Sequence, residues 1–175
     1  MKALLLFMLV MGAGLLIYSL WETVPIIGES VHYVLDPTFG SILKINLTLG
    51  FGFLVLLITL ITIIIQKYTS DQEGLKKLKE EQKAMQEEMK QNKNNPSKMM
   101  ELQRKQLESI PKSLELTMKP LMYTSFPIIL LFRWFTDTFK NLGEPKFFGF
   151  MGWFIFYLIL SIVFTMILRK LMKVY

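Results

Sequence analysis

The 175-residue chain is 52% hydrophobic and only 19% charged, with 20 Lys+Arg against 14 Asp+Glu and no cysteine. Soluble domains carry about 25% charged residues, and the shortfall here is local, since residues 67–119 hold 12 of the basic and 9 of the acidic side chains. A greasy and a solvated composition joined in one chain exclude both an ordinary soluble globule and uniform disorder; with His32 the sole histidine and no thiol, disulfides, metal centres and conventional acid–base catalysis are not expected.

A bilayer core of about 30 Å needs about 20 apolar residues as helix, and four stretches come close. Residues 1–20 form an N-terminal hydrophobic helix, either a signal anchor or a signal peptide. Ala3–Leu20 exceeds the usual h-region and runs into Trp21-Glu22-Thr23-Val24-Pro25 without an A-x-A-like site, which favours the anchor. Residues 21–44 then make an extracytoplasmic segment, 45–66 the first core span, 67–119 a charged helical hairpin and 120–136 the second core span. An extracytoplasmic loop at 137–146, a third core span at 147–168 and a tail at 169–175 complete the chain. The second core span contains Pro127 and Arg133 and is expected to be kinked, because proline is tolerated in membrane helices when neighbours re-satisfy the freed carbonyl.

Placing 67–119 and the tail in the cytoplasm with Lys2 puts 16 of the 20 basic residues inside, and leaves Lys44, Lys140 and Lys146 outside. The inverse topology reverses that imbalance, so the positive-inside rule gives a multi-pass cell-membrane protein with a cytoplasmic hairpin and C-terminus.

Within the hairpin, Leu75, Leu78, Gln82, Met85 and Met89 alternate at spacings of three and four, one apolar stripe on a charged helix. Asn92–Ser97 is turn chemistry, with Pro96 unable to continue a helix and Ser97 a plausible N-cap. A second arm places Met100, Gln103, Leu107, Ile110 and Leu114 on one face, as the matching half of a seam, and is interrupted at Pro111. Methionine surfaces are unbranched and polarizable and suit varied apolar partners. Met85 and Met89 fit the seam equally well as filler, whereas Met99, Met100, Met118 and Met122, nearer the membrane, are candidates for contact with an apolar client.

In the first core span Thr48, Gly52, Thr59, Thr62 and Gln66 lie within about 40° of one direction at about 100° per residue. Small and hydroxylated residues on one side commonly mark helix packing; a stripe running to the cytoplasmic end is also what a water-accessible groove requires. Lys67 continues it, and Thr124 and Ser125 on the inner half of the second span can face it. Arg133 is an ionisable residue inside a span, so it is a functional-site candidate by default; the alternative is snorkelling to the outer interface and pairing with Asp137.

No Walker motif, dinucleotide fingerprint, metal-binding helix or nucleophile elbow is present. The chain is expected to be no enzyme and to need no cofactor, so any work it does must draw on partition energies, the membrane potential or a partner.

Leu35-Asp36-Pro37 precedes the first core span, and that span runs into Gln66-Lys67-Tyr68 and the hairpin. Then come Lys98-Met99-Met100-Glu101-Leu102-Gln103, Met118-Lys119-Pro120-Leu121-Met122 and Phe126-Pro127-Ile128-Ile129-Leu130-Leu131-Phe132-Arg133-Trp134. In these features, over residues 35 to about 170, the chain resembles the archaeal YidC-like proteins, members of the insertase superfamily that includes the Oxa, Get and EMC membrane subunits. The resemblance implies a three-helix core around a polar groove, with a hairpin that receives hydrophobic segments of nascent proteins from the ribosome or a targeting chaperone. YidC-type relatives carry a groove arginine in the first core span. This chain has Gln66 and Lys67 there, and Arg133, on another helix, becomes the candidate groove charge by inference alone. Two other classes remain open, a scaffold that docks a soluble partner through the hairpin and a small channel subunit lined by Thr59, Thr62 and Gln66.

Overall fold

The computed structural model describes residues 2–93 and 95–174; Met1, Asn94 and Tyr175, which fall at the predicted ends and in the predicted hairpin turn, lie outside the described residues. Seven α-helices are described: α1 Lys2–Leu20, α2 Pro25–Leu35, α3 Ser41–Ile45, α4 Leu47–Thr69, α5 Gln72–Gln91, α6 Pro96–Asn141 and α7 Trp153–Met172, with a π-helical turn, Asp36–Gly40, between α2 and α3. Among the described residues no strand forms beyond one isolated bridge, Phe147 with Met151. The chain is an all-α integral membrane protein. Helices α4 and α7 are long and apolar enough to cross a membrane, and a third span is available if Leu5–Leu20 and Pro25–Ile45, bent by 98° at their break, are counted as one.

The predicted second core span is not a separate helix. Residues 120–136 continue the second hairpin arm without a break, so α6 runs 46 residues through Pro111, Pro120 and Pro127, about 69 Å at 1.5 Å per residue. Each proline removes one N–H and frees the carbonyl four residues back, those of Leu107, Leu116 and Tyr123. In a lipid environment an open loop would free many more groups, so continuing the helix is the cheaper solution. Tyr123, Thr124, Ser125 and Arg133 dilute the apolar character of this stretch, and tertiary packing rather than hydropathy holds it in place. Other boundaries move for local reasons. Asn95, not Ser97, caps α6 by accepting from the Lys98 amide, and Pro96 takes the first helical position, where its missing N–H costs nothing. Helix α7 starts at Trp153 rather than 147, because Phe147 and Met151 exchange backbone bonds of 2.7 and 3.0 Å around Gly149, whose φ is +83°. It also continues to Met172, so Arg169, expected in the tail, lies within it.

α4 and α7 run parallel to each other, with α6 antiparallel between the hairpin and the far end. α1 lies along α6 in parallel: Gly14 meets Ile129, Tyr18 meets Arg133 and Trp21 meets Asp137, a constant offset that makes a continuous contact. The core is aromatic and sits toward the far end, where Phe51, Trp134, Phe135 and Phe139 are wholly buried with Leu54 and Val55. Phe139 stacks on Trp153 at 5.7 Å and Phe147 on Phe156 at 4.4 Å. Such offset and edge contacts contribute about 0.5–1.5 kcal/mol per pair beyond the area buried.

The α3–α4 corner depends on Gly50, where a Cβ would stand 2.5 Å from the Ile42 carbonyl oxygen. Gly50→Ala is expected to lower stability by about 1–3 kcal/mol, as overpacking against backbone does. At Gly12 a Cβ would meet nothing within 4 Å, so Gly12→Ala should be neutral or slightly stabilising. Thermal unfolding of both variants in detergent, followed by circular dichroism, checks the contrast.

Candidate functional site

A cavity of about 440 Å³ opens at the hairpin end among α4, α6 and α7. α4 supplies Thr59, Thr62, Ile63 and Gln66; α6 supplies Thr117, Pro120, Leu121, Thr124 and Ile128; α7 supplies Tyr157, Ser161, Thr165 and Arg169. From Gln66 to Thr59, and from Arg169 to Tyr157, the lining descends about 10 and 18 Å along the helices. It therefore reaches to about half the thickness of a bilayer core, and the aromatic core closes it beyond that depth.

The charge at its mouth is Arg169. Its guanidinium donates to Gln66 Oε1 at 2.8 Å, while its Nε is buried without a hydrogen-bond partner. Arg169 as a whole is half-buried, and a buried donor left unsatisfied is costly. Around it five of the seven hydroxyl side chains in the lining are tied to their own helices. Thr59 donates to Val55 O, Thr62 to Ile58 O, Thr117 to Ser113 O, Thr124 to Pro120 O and Ser161 to Leu158 O.

Of the residues singled out from the sequence, Thr59, Thr62, Gln66 and Thr124 meet in this lining. Lys67 is exposed on the next position of α4, and Ser125, half-buried, bonds back to Met122 O; neither lines the cavity. Arg133 does not line it either. It lies toward the far end on the face of α6 that packs on α1. There its guanidinium donates to Glu22 at 2.8 Å, stands 3.5 Å from Asp137, and covers the rings of Tyr18 and Trp21 at 5.3 and 5.7 Å. The expected partner Asp137 is among its neighbours, with Glu22 closer. The reason is helical phase: Arg133 is displaced by about 140° from Ile128, which lines the cavity, at about 100° per residue.

The hairpin also differs from the predicted seam. Leu75 and Leu78 of α5 are buried as expected, but α6 meets them with another face: Leu102 is buried, Leu116 packs beside Gly74, and Lys112 pairs with Glu81 at 3.5 Å. The stripe expected to close the seam is left open, with Met100 72%, Leu107 65%, Ile110 46% and Leu114 45% exposed. At helical spacing it continues to Thr117 and Leu121 in the cavity wall. Met99 and Met122 are half-buried and Met118 is buried, so of the four methionines Met100 is the accessible one. The charged faces are solvated: Lys105 and Lys98 beside Glu101 hold its carboxyl down to about 2, but these exposed pairs add little stability.

At the far end a second polar cluster ties α2 and the π-turn to α6. Trp21 Nε1 donates to Asp137 at 2.6 Å and Trp134 Nε1 to Asp36 at 2.8 Å, with His32 3.0 Å from Asp36 and 3.6 Å from Asp137. Burial pushes the Asp36 carboxyl up, but the hydrogen bonds of Trp134 and His32 and the charges of His32 and Lys44 outweigh it and hold the group below the usual carboxylate value.

Sequence reasoning missed Arg169, Thr117, Tyr157, Ser161 and Thr165. Ser161, Thr165 and Arg169 recur every four residues on an otherwise apolar helix, and that spacing was the available signal. Among the described residues no group of three or more His, Asp or Glu is placed to hold a metal.

Comparison with curated proteins and with solved structures gave no match. The family model described as integral membrane protein EMC3/TMCO1-like matches residues 33–151, which takes in α4, α5, α6 and the far-end cluster of Asp36 and Trp134, and leaves α1 and α7 outside. By that match over more than half of its length, the chain belongs to the EMC3/TMCO1-like integral membrane protein family, part of the Oxa/YidC/Get/EMC superfamily.

Proposed function

We propose that the protein is a membrane protein insertase of the archaeal YidC-like kind. It accepts hydrophobic segments of nascent or newly made proteins on a cytoplasmic hairpin and passes them into the cell membrane without nucleotide hydrolysis. The observation that carries the proposal is the half-depth polar cavity with Arg169 at its mouth, reached by an exposed apolar stripe on the same helix. Family membership supports it, and the positive-inside count supports the orientation.

The energetics match such a device. About 20 apolar residues at about −0.3 to −0.6 kcal/mol each make insertion of a client span favourable, whereas each Asp, Lys or Arg carried through the bilayer centre costs about 2.5–3.5 kcal/mol. The equilibrium is downhill and the obstacle is the passage of the client's polar flank. A cavity that keeps the flank solvated over half the thickness lowers that barrier, and no external energy source is required. Met100, Leu107, Ile110 and Leu114 hold the apolar segment, and Thr117 and Leu121 hand it to the cavity. Its partners are unfolded client chains, a ribosome or targeting chaperone that delivers them, and the lipid bilayer.

Site-specific photocrosslinkers at Met100, Leu114, Leu121 and Thr62, presented to ribosome-stalled chains of increasing length, test the path. Crosslinks should move from Met100 and Leu114 to Leu121 and then Thr62 as the client lengthens. Crosslinks to one constant soluble protein, and none to nascent chains, would make the hairpin a tether and the cavity a packing defect. As a separate prediction, Leu107→Ser with Ile110→Ser and Leu114→Ser should cut client crosslinking at Met100 about tenfold while lowering stability by only about 1–2 kcal/mol, because Leu107 is 65% exposed and Ile110 and Leu114 nearly half exposed.

A further inference from the structure

If the cavity carries client flanks, as proposed above, its hydrogen-bond chemistry also decides which flanks pass. Thr59, Thr62, Thr124 and Ser161 each commit their hydroxyl proton to a carbonyl of their own helix, at 2.7, 2.8, 3.0 and 3.0 Å. A hydroxyl has one proton and two lone pairs, so what these side chains offer a guest is acceptors. Among the lining residues the one charged donor is Arg169, at the mouth and already bonded to Gln66.

We infer that the cavity selects translocating flanks by hydrogen-bond polarity. Neutral donor-bearing groups, such as the amides of Asn and Gln and the unpaired N–H groups of an extended backbone, find partners along the threonine wall. Carboxylates, which only accept, are satisfied at Arg169 and find no free hydroxyl proton along the threonine wall of Thr59, Thr62 and Thr124. Asn against Asp and Gln against Glu are the decisive comparison, because each pair shares a shape and differs in whether it can donate.

The test uses the full chain in phosphatidylcholine vesicles and two single-span clients that differ only in an Asn/Gln or an Asp/Glu flank, with translocation read by protease protection. Thr59→Val, Thr62→Val and Thr124→Val together keep the volume and remove the acceptors. They should reduce insertion of the Asn/Gln client about five- to tenfold, the weight of one or two neutral hydrogen bonds, and that of the Asp/Glu client less than about twofold. The matching Thr→Ser variants, which retain the hydroxyl, should restore the Asn/Gln client. Should the triple Val variant not fold, Thr62→Val alone must still lower the Asn/Gln client more than the Asp/Glu client. Equal losses on both clients, with wild type inserting both above empty vesicles, overturn selection by donors and leave the insertase reading standing. No insertion of either client above empty vesicles overturns both.

Discussion

Arg169→Leu is expected to reduce insertion of clients with acidic flanks about tenfold to a hundredfold, and of clients with neutral flanks about threefold or less. A hydrogen bond to a charged group contributes about 1.5–3 kcal/mol, and 1.4 kcal/mol is a factor of ten, so one or two lost bonds to a carboxylate account for the larger figure. The neutral client loses only the hydration that the charge draws into the mouth of the cavity. Arg169→Lys keeps the charge but loses the planar fork that holds Gln66 while facing a guest, and should recover part of the acidic-flank activity. Arg133→Leu is the informative contrast. Its guanidinium binds Glu22 and Asp137 away from the cavity, so it should weaken the α1–α6 contact and the folded state while leaving the acidic-to-neutral ratio unchanged. Protease protection in proteoliposomes reads all three variants. An Arg169→Leu protein that inserts both clients at the wild-type ratio would remove Arg169 from the mechanism, and a changed ratio in Arg133→Leu would return that residue to it.

The two arginines show where the sequence was legible and where it was not. Composition alone separates the spans from the hairpin, because about 20 consecutive apolar residues have few other uses. α4 and α7 were therefore readable, and so was the α4 side of the cavity wall, about a third of it, since Thr59, Thr62 and Gln66 share a phase on one helix. The rest depends on which helices are neighbours and how they are rotated. Arg169 follows a run of apolar residues and precedes two lysines, and by sequence it looks like the start of a basic tail; only the packing of α7 on α4 brings it to Gln66. Arg133 stood out because it interrupts an apolar run, which left a groove role and an interfacial one equally open; its helical phase turns it toward α1. The hairpin misled for a related reason. Met100, Leu107, Ile110 and Leu114 have the periodicity of a buried seam, but periodicity states that a face is apolar, not what covers it. α5 packs mainly on another face, with only Gln82 reaching the groove beside Leu107, Ile110 and Leu114, and an apolar face left largely unpaired within the chain is what an external apolar guest requires. Pro111 likewise read as an interruption and Pro120 as the start of a new span, whereas the helix continues through both, as it was expected to at Pro127.

The far end carries the largest expected effect on stability, because a blind cavity needs a firm floor. Trp134 is wholly buried, packs on Phe39 and Phe135, and donates to Asp36 at 2.8 Å. Trp134→Ala should cost about 3–5 kcal/mol, the usual range for removing a buried aromatic. Trp134→Phe keeps most of the ring packing and loses the indole donor, so it isolates the bond to the carboxylate, about 1.5 kcal/mol given the partial exposure of Asp36. The pH dependence then has a definite sign. The folded carboxyl of Asp36 lies below its ordinary 3.8, so its contribution is present above that value and is lost as pH falls through the lower folded value. The gap between wild type and Trp134→Phe should therefore be full near neutral pH and close in acid, below about 3.8. Asp36→Asn should show the same loss at neutral pH and a flatter acid limb. Denaturant unfolding in detergent, followed by tryptophan fluorescence and circular dichroism across that range, measures the gap. A gap that stays constant into acid would mean that Trp134 acts through packing alone, and that the joint between the π-turn and α6 owes nothing to the carboxylate. If instead the gap closes, the π-turn is held to α6 by a charge-assisted bond at the edge of the aromatic core that floors the cavity.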